Sequence, residues 1–63
     1  MLEYFKTILQ KVSFDPYLFE KELKKAVRTL IPQELREFRD WCYNTFGNIY
    51  SGILNKYLIP AKA

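Results

Sequence analysis

The side chains that perform most enzyme chemistry are scarce in this sequence. It contains no histidine and one cysteine, Cys42, so no Ser–His or Cys–His pair can be built and the commonest zinc ligand is missing. The closest approach to a carboxylate pair is a group of acids one helical turn apart between Glu34 and Asp40. Charge pairing along a helix surface explains that spacing. We therefore expect a protein that is not an enzyme and that has no metal or other cofactor.

The lone Cys42 lies on an apolar stripe of its predicted helix, where a cysteine usually serves as a small buried hydrophobe. A reactive or intermolecular thiol is the alternative. One cysteine permits no intramolecular disulfide, which is consistent with a reducing compartment. The sequence shows no signal-peptide pattern and no run of about 18 apolar residues. We expect a cytoplasmic protein without a transmembrane segment.

The most specific charge pattern is a row of cations with i, i+3, i+4, i+7 spacing, which puts them on one face of a helix. The cations are Lys21, Lys24, Lys25 and Arg28, and the aromatic ring of Tyr17 lies one turn earlier on the same side. A ring beside cations can stack on a base while the charges contact phosphates, so this basic face is a candidate site for nucleic acid or another anion. Glu20 and Glu22 border it and would repel a polyanion. The alternative is the solvated outer face of an amphipathic helix.

A second pattern is the stretch from Trp41 to Asn55, which has no charged residue and several aromatic ones. Depletion of charge and enrichment in Trp and Tyr are typical of the centre of a protein–protein interface. The interface candidates in and beside this stretch are Trp41, Tyr43, Tyr50, Leu54, Tyr57 and Leu58. The alternative is a helix buried on two sides by its own chain.

The leading functional hypothesis is an interaction module of unknown biological role. A chain of 63 residues buries only about 60% of its unfolded surface, and this one has neither a disulfide framework nor a metal cluster to compensate. We therefore expect it to self-associate, most simply as a homodimer, or to dock on another protein through the uncharged aromatic region. Nucleic-acid binding by the basic face is the alternative, favoured less by a formal net charge of only +3.

Proline, glycine and apolar periodicity predict an all-α fold, a single domain over 1–63 built as a small bundle of three to four short helices. The predicted helices run over 2–12, 16–30, from 32 onward, and 49–58. Asp15 and Pro16 form the clearest helix start, with Phe14 as a hydrophobic staple. Pro60 would end the last helix.

The junction between the third and fourth helices allows two interpretations. Gly47-Asn48 is a plausible C-cap and restart, and we favour a break there. However, one apolar stripe stays in phase across Gly47, which a single long, bent helix would also explain. This stripe consists of Leu35, Phe38, Cys42, Phe46, Ile49 and Ile53. The predicted core is Phe5, Leu9, Phe19, Leu23, Val27, Leu30, Leu35, Phe38, Cys42, Phe46 and Ile53.

Overall fold

The computed structural model describes residues 1–58, which form three α-helices and no strand. The helices are α1 (Leu2–Lys11), α2 (Pro16–Thr29) and α3 (Pro32–Leu58). The all-helical class and the lower of the two predicted helix numbers are confirmed. Within residues 1–58, no helix is long and apolar enough to cross a bilayer. The predicted stop at Pro60, like the rest of the domain range past residue 58, lies outside the described residues.

The start of α2 follows the local sequence. The Asp15 carboxylate accepts hydrogen bonds from the backbone N–H groups of Tyr17 at 3.0 Å and Leu18 at 3.3 Å, which satisfies two amides that have no partner within the helix. The predicted staple is wrong, because the Phe14 side chain is 78% exposed. The turn is held by the backbone, since the Asp15 N–H donates to the Val12 carbonyl at 3.0 Å.

The buried residues of α3 follow one another at intervals of four. They are Phe38, Cys42, Phe46, Tyr50, Leu54 and Leu58. Four residues turn a helix by about 40° more than one full turn, so the buried side would rotate by about 200° from first to last in a straight helix. A straight helix therefore cannot direct all six toward one core. The helix bends instead at Tyr50, whose backbone angles (φ −121°, ψ 27°) are not helical.

The bend is sharp. The Tyr43 hydroxyl donates a hydrogen bond to the side-chain oxygen of Asn55, 12 residues further along the chain, although a straight helix would separate their Cα atoms by about 18 Å. The longest dimension of the molecule is 29 Å, whereas α3 would measure about 40 Å if straight. The break favoured at Gly47-Asn48 is wrong in position, because the helix continues through both residues and bends at Tyr50. Ser51 and Gly52 follow directly, and Gly and Ser are common at helix kinks.

Tyr50 connects α3 to α2 and to the turn that precedes α2. Its ring stacks on Phe19 of α2 with 4.3 Å between centroids, and its hydroxyl donates to the Ser13 carbonyl in the turn between α1 and α2. Because the hydroxyl has a partner, the tyrosine can be buried at little cost. The bend thus places Tyr50 in the core, whereas the apolar stripe that stays in phase across Gly47 would place Ile49 there.

One hydrophobic core joins the three helices. Its buried members are Phe5, Leu9, Phe19, Leu23, Ala26, Leu30, Phe38, Cys42, Phe46, Tyr50, Leu54 and Leu58. Most of the predicted core is among them, but Val27, Leu35 and Ile53 are only half-buried at its edge.

Candidate nucleic-acid interface

Half of the predicted interface candidates belong to the chain's own core. Tyr50, Leu54 and Leu58 are buried, so the structure removes them from any surface that meets a partner. The reason is the bend, which turns this side of α3 toward the core: Tyr50 stacks on Phe19 of α2, and Leu58 lies beside Leu35 in the first half of α3. Ile49, which the predicted stripe placed inside, is 69% exposed.

The other three candidates, Trp41, Tyr43 and Tyr57, are half-buried. Trp41 packs edge-on against Phe46 with 5.5 Å between ring centroids. The ammonium of Lys6 lies 5.7 Å from the centre of the Trp41 ring, and the Lys6 side chain is only 18% exposed. Trp41 is thus largely covered by its own chain, which leaves little of the predicted aromatic surface open.

Cys42 lies in the core, as expected from its stripe. Burial raises the pKa of its thiol to about 12, although the charge of Lys6 opposes the shift. A thiol with so high a pKa is protonated at neutral pH, and the thiolate is the reactive form. The structure therefore favours the packing role of Cys42 over a reactive one.

All members of the basic face are exposed to solvent on α2. Lys21, Lys24, Lys25 and Arg28 are exposed, and the Tyr17 ring is 75% exposed. A shallow depression of about 240 Å³ lies at the N-terminal end of this face. It is lined by Tyr17, Glu20, Lys21 and Lys24. The structure therefore brings an accessible ring and two ammonium groups around one concave surface, as the helical spacing predicted.

Glu20, which borders the basic face, is held by α3. Its Oε2 atom accepts a hydrogen bond from the Tyr57 hydroxyl at 2.6 Å and another from the Lys56 ammonium at 3.2 Å. The hydrogen bond from Tyr57 is the main cause that lowers the pKa of Glu20, with Lys56 next. The same contacts raise the pKa of Tyr57 and of Lys56. Glu20 is thus ionised at neutral pH and its charge is compensated by Lys56.

The second bordering acid is also paired. The Glu22 carboxylate lies 3.5 Å from the ammonium of Lys25. By contrast, no carboxylate of residues 1–58 is within ion-pair distance of Lys21, Lys24 or Arg28. The two acids that counted against polyanion binding therefore each have a cation partner, while three cations of the basic face have no ion pair within the described chain.

The sequence pattern missed the contribution of Lys56 and Tyr57 to this site. They lie 36 and 37 residues from Glu20 in sequence, and only the bend in α3 brings them to α2. Nothing in the local spacing of either segment signals the contact. Nor do residues 1–58 contain a group of three His, Cys, Asp or Glu side chains placed to hold a metal ion.

Comparison of the chain with known protein families, with curated proteins and with solved structures finds no match.

Proposed function

We propose that this protein is a non-enzymatic binding module for single-stranded nucleic acid and that the basic face of α2 is its contact surface. The observation that carries the proposal is the depression between Tyr17, Lys21 and Lys24, where an exposed ring and cations without ion pairs converge. The pairing of Glu20 with Lys56 and Tyr57 supports it further, because the acid next to this surface no longer presents an uncompensated charge.

The chemistry of the surface suits an unpaired strand. A base stacked on an exposed aromatic ring is worth about 1–3 kcal/mol, and Lys and Arg beside it can contact phosphates without regard to sequence. Tyr17 and Arg28 are about 16 Å apart along the helix at 1.5 Å per residue. Because successive phosphates are about 3.4 Å apart along the axis of a stacked duplex and further apart in an unstacked strand, this length spans at most about five nucleotides.

Double-stranded DNA is a poorer fit. A base can stack on Tyr17 only if it is unpaired and turned out of its own helix. The helix that follows the turn at Ile31-Pro32 also carries Glu34 in its first turn and Glu37 in the next, and acids there would repel the phosphates that a helix-turn-helix protein must approach. We therefore favour single-stranded RNA or DNA as the ligand.

Fluorescence anisotropy with short labelled oligonucleotides tests the proposal. If Lys21, Lys24 and Arg28 each neutralise one phosphate, affinity for a single strand falls with a log–log salt slope of about −2, or about 20-fold between 50 and 200 mM salt. Replacing Tyr17 with Ala weakens binding by about 5- to 160-fold through the lost stacking, which is about 1–3 kcal/mol.

A charge-matched pair of double variants locates the surface. Lys24→Glu with Arg28→Glu changes the basic face, and Lys11→Glu with Arg36→Glu changes the net charge equally at exposed positions elsewhere. We expect the first pair to lower the affinity at least about tenfold and the second to have a much smaller effect. Equal losses would show that net charge alone attracts the strand, and an unchanged affinity of the first variant would refute the proposal.

Self-association through α3 is the second candidate function. It is supported by Ile49, an apolar side chain that is 69% exposed within the uncharged stretch from Trp41 to Asn55. An exposed apolar residue in surroundings without charge meets its own copy without repulsion. Sedimentation of the protein and of Ile49→Glu tests it: a dimer that the substitution dissociates supports this surface, and a strict monomer rejects it.

A further inference from the structure

Glu20 is placed to contact whatever base stacks on Tyr17. The two residues are three apart on α2, so their side chains are neighbours on the helix surface, and both line the same depression. We propose that Glu20 determines the base preference of this site and favours bases that carry an exocyclic amino group over uracil and thymine. This inference rests on the proposed function and specifies which ligands the same site prefers.

The contacts from α3 leave one oxygen of Glu20 available. Tyr57 and Lys56 both donate to Oε2, and residues 1–58 donate no side-chain hydrogen bond to Oε1. An ionised carboxylate is only an acceptor, with about two lone-pair sites on each oxygen. Oε1 can therefore accept a hydrogen bond from a ligand, and the two bonds on Oε2 restrict the orientation of the carboxylate in advance.

The bases differ in what they offer to such an acceptor. Cytosine has an amino donor at N4 and adenine has one at N6, whereas thymine has a carbonyl acceptor at O4 in the corresponding position; uracil has the same carbonyl. The amino group of cytosine projects beyond the ring and can donate to Oε1. The one donor on the same edge of uracil, N3–H, lies between two carbonyl oxygens that the carboxylate would repel and that would lose hydrogen bonds with water. Lys21 and Lys24, the other charged groups of the depression, are flexible donors that suit phosphate and carbonyl oxygens alike.

The affinities of oligocytidylate and oligouridylate, measured by anisotropy on the whole protein, test the inference. These two pyrimidines match in size, so their ratio is less sensitive to stacking strength than a comparison with adenine. We expect cytidine to bind about tenfold more tightly, near the lower end for a hydrogen bond to a charged group. In Glu20→Gln the amide can donate as well as accept, so the ratio should fall to about twofold or less.

Glu22→Gln is the matched control, because Glu22 pairs with Lys25 and does not line the depression; its ratio should equal that of the wild type. The ratio is measured on one variant at a time, so a change in the folded fraction cancels from it. If neither oligonucleotide binds, the proposed function fails. If both bind through Lys24 and Arg28 with equal affinity, or if Glu20→Gln retains the wild-type ratio, the role of Glu20 is refuted and the proposed function stands.

Discussion

Leu54→Ala tests where α3 directs its apolar side beyond the bend. The Leu54 side chain is 0% exposed and belongs to the core. Truncating a fully buried leucine removes its transfer free energy and leaves a cavity, which together cost about 2–5 kcal/mol. A chain of this length has a total stability of about 3–9 kcal/mol, so the variant should lose a large part of its free energy of unfolding.

Ile49→Ala is the matched control on the same helix. Ile49 is 69% exposed, and substitutions at such positions usually change stability by about 0.5 kcal/mol or less. The sequence alone suggests the reverse, because Ile49 belongs to the apolar stripe that stays in phase across Gly47 and Leu54 is one of the interface candidates. The two variants together therefore decide which side of α3 faces inward.

Urea unfolding followed by circular dichroism and Trp41 fluorescence measures the difference. With an m-value near 1 kcal/mol/M, typical of small proteins, Leu54→Ala should lower the midpoint by about 2 M or more. If that variant does not fold, Leu54→Met should still fold, with a loss below about 1.5 kcal/mol. Equal effects of Leu54→Ala and Ile49→Ala would refute the reasoning. So would a loss that depends on protein concentration, because it would place Leu54 between subunits.

Two further predictions concern the helix and its contact with α2. Gly47→Ala should stabilise the protein by up to about 1 kcal/mol, since a methyl group there meets nothing within 4 Å and the helix continues through the site. A melting temperature of this variant below that of the wild type would mean that the helix ends at Gly47. Because the pKa of Glu20 is lowered in the folded state, its stabilising effect is present above its unfolded pKa and is lost as the pH falls through the folded value. Glu20→Gln should therefore melt below the wild type at about pH 7, and the difference should shrink as the pH falls below 4.5, the ordinary pKa of a glutamate. Glu37→Gln, an exposed control, should track the wild type over the same range. A difference that does not shrink in acid would exclude the carboxylate charge as its cause.

The elements that could be predicted from the sequence are those whose signals are local. Asp15 and Pro16 specify a helix start within a few residues, because capping and proline geometry act on adjacent backbone groups. Pro32 likewise marks the start of α3. The basic face was predictable for the same reason, since a fixed spacing on one helix determines which side chains share a face. Its exposure follows from the apolar stripe on the opposite side of α2.

The position of the bend could not be predicted because the contacts that fix it are distant in sequence. Glycine has a lower helix propensity than tyrosine, yet the helix departs from regular geometry at Tyr50 and not at Gly47. At that point the Tyr50 ring stacks on Phe19 and its hydroxyl donates to the Ser13 carbonyl. By hydrophobicity alone Ile49 is the better core residue. A tyrosine becomes a core residue only when a partner for its hydroxyl exists, and that partner belongs to another element.

The sequence by itself therefore determined an all-helical chain without histidine or a cysteine pair, with two clear helix starts and one cationic helix face. Tertiary structure decided which side of α3 is exposed and which residues pair with Glu20. By bending α3 it buried Tyr50, Leu54 and Leu58, which reduced the predicted aromatic interface, and it brought Lys56 and Tyr57 to Glu20. The physical reason is that helix capping and helical spacing act over a few residues. Whether a side chain meets solvent, core or an opposite charge depends on which helices pack together.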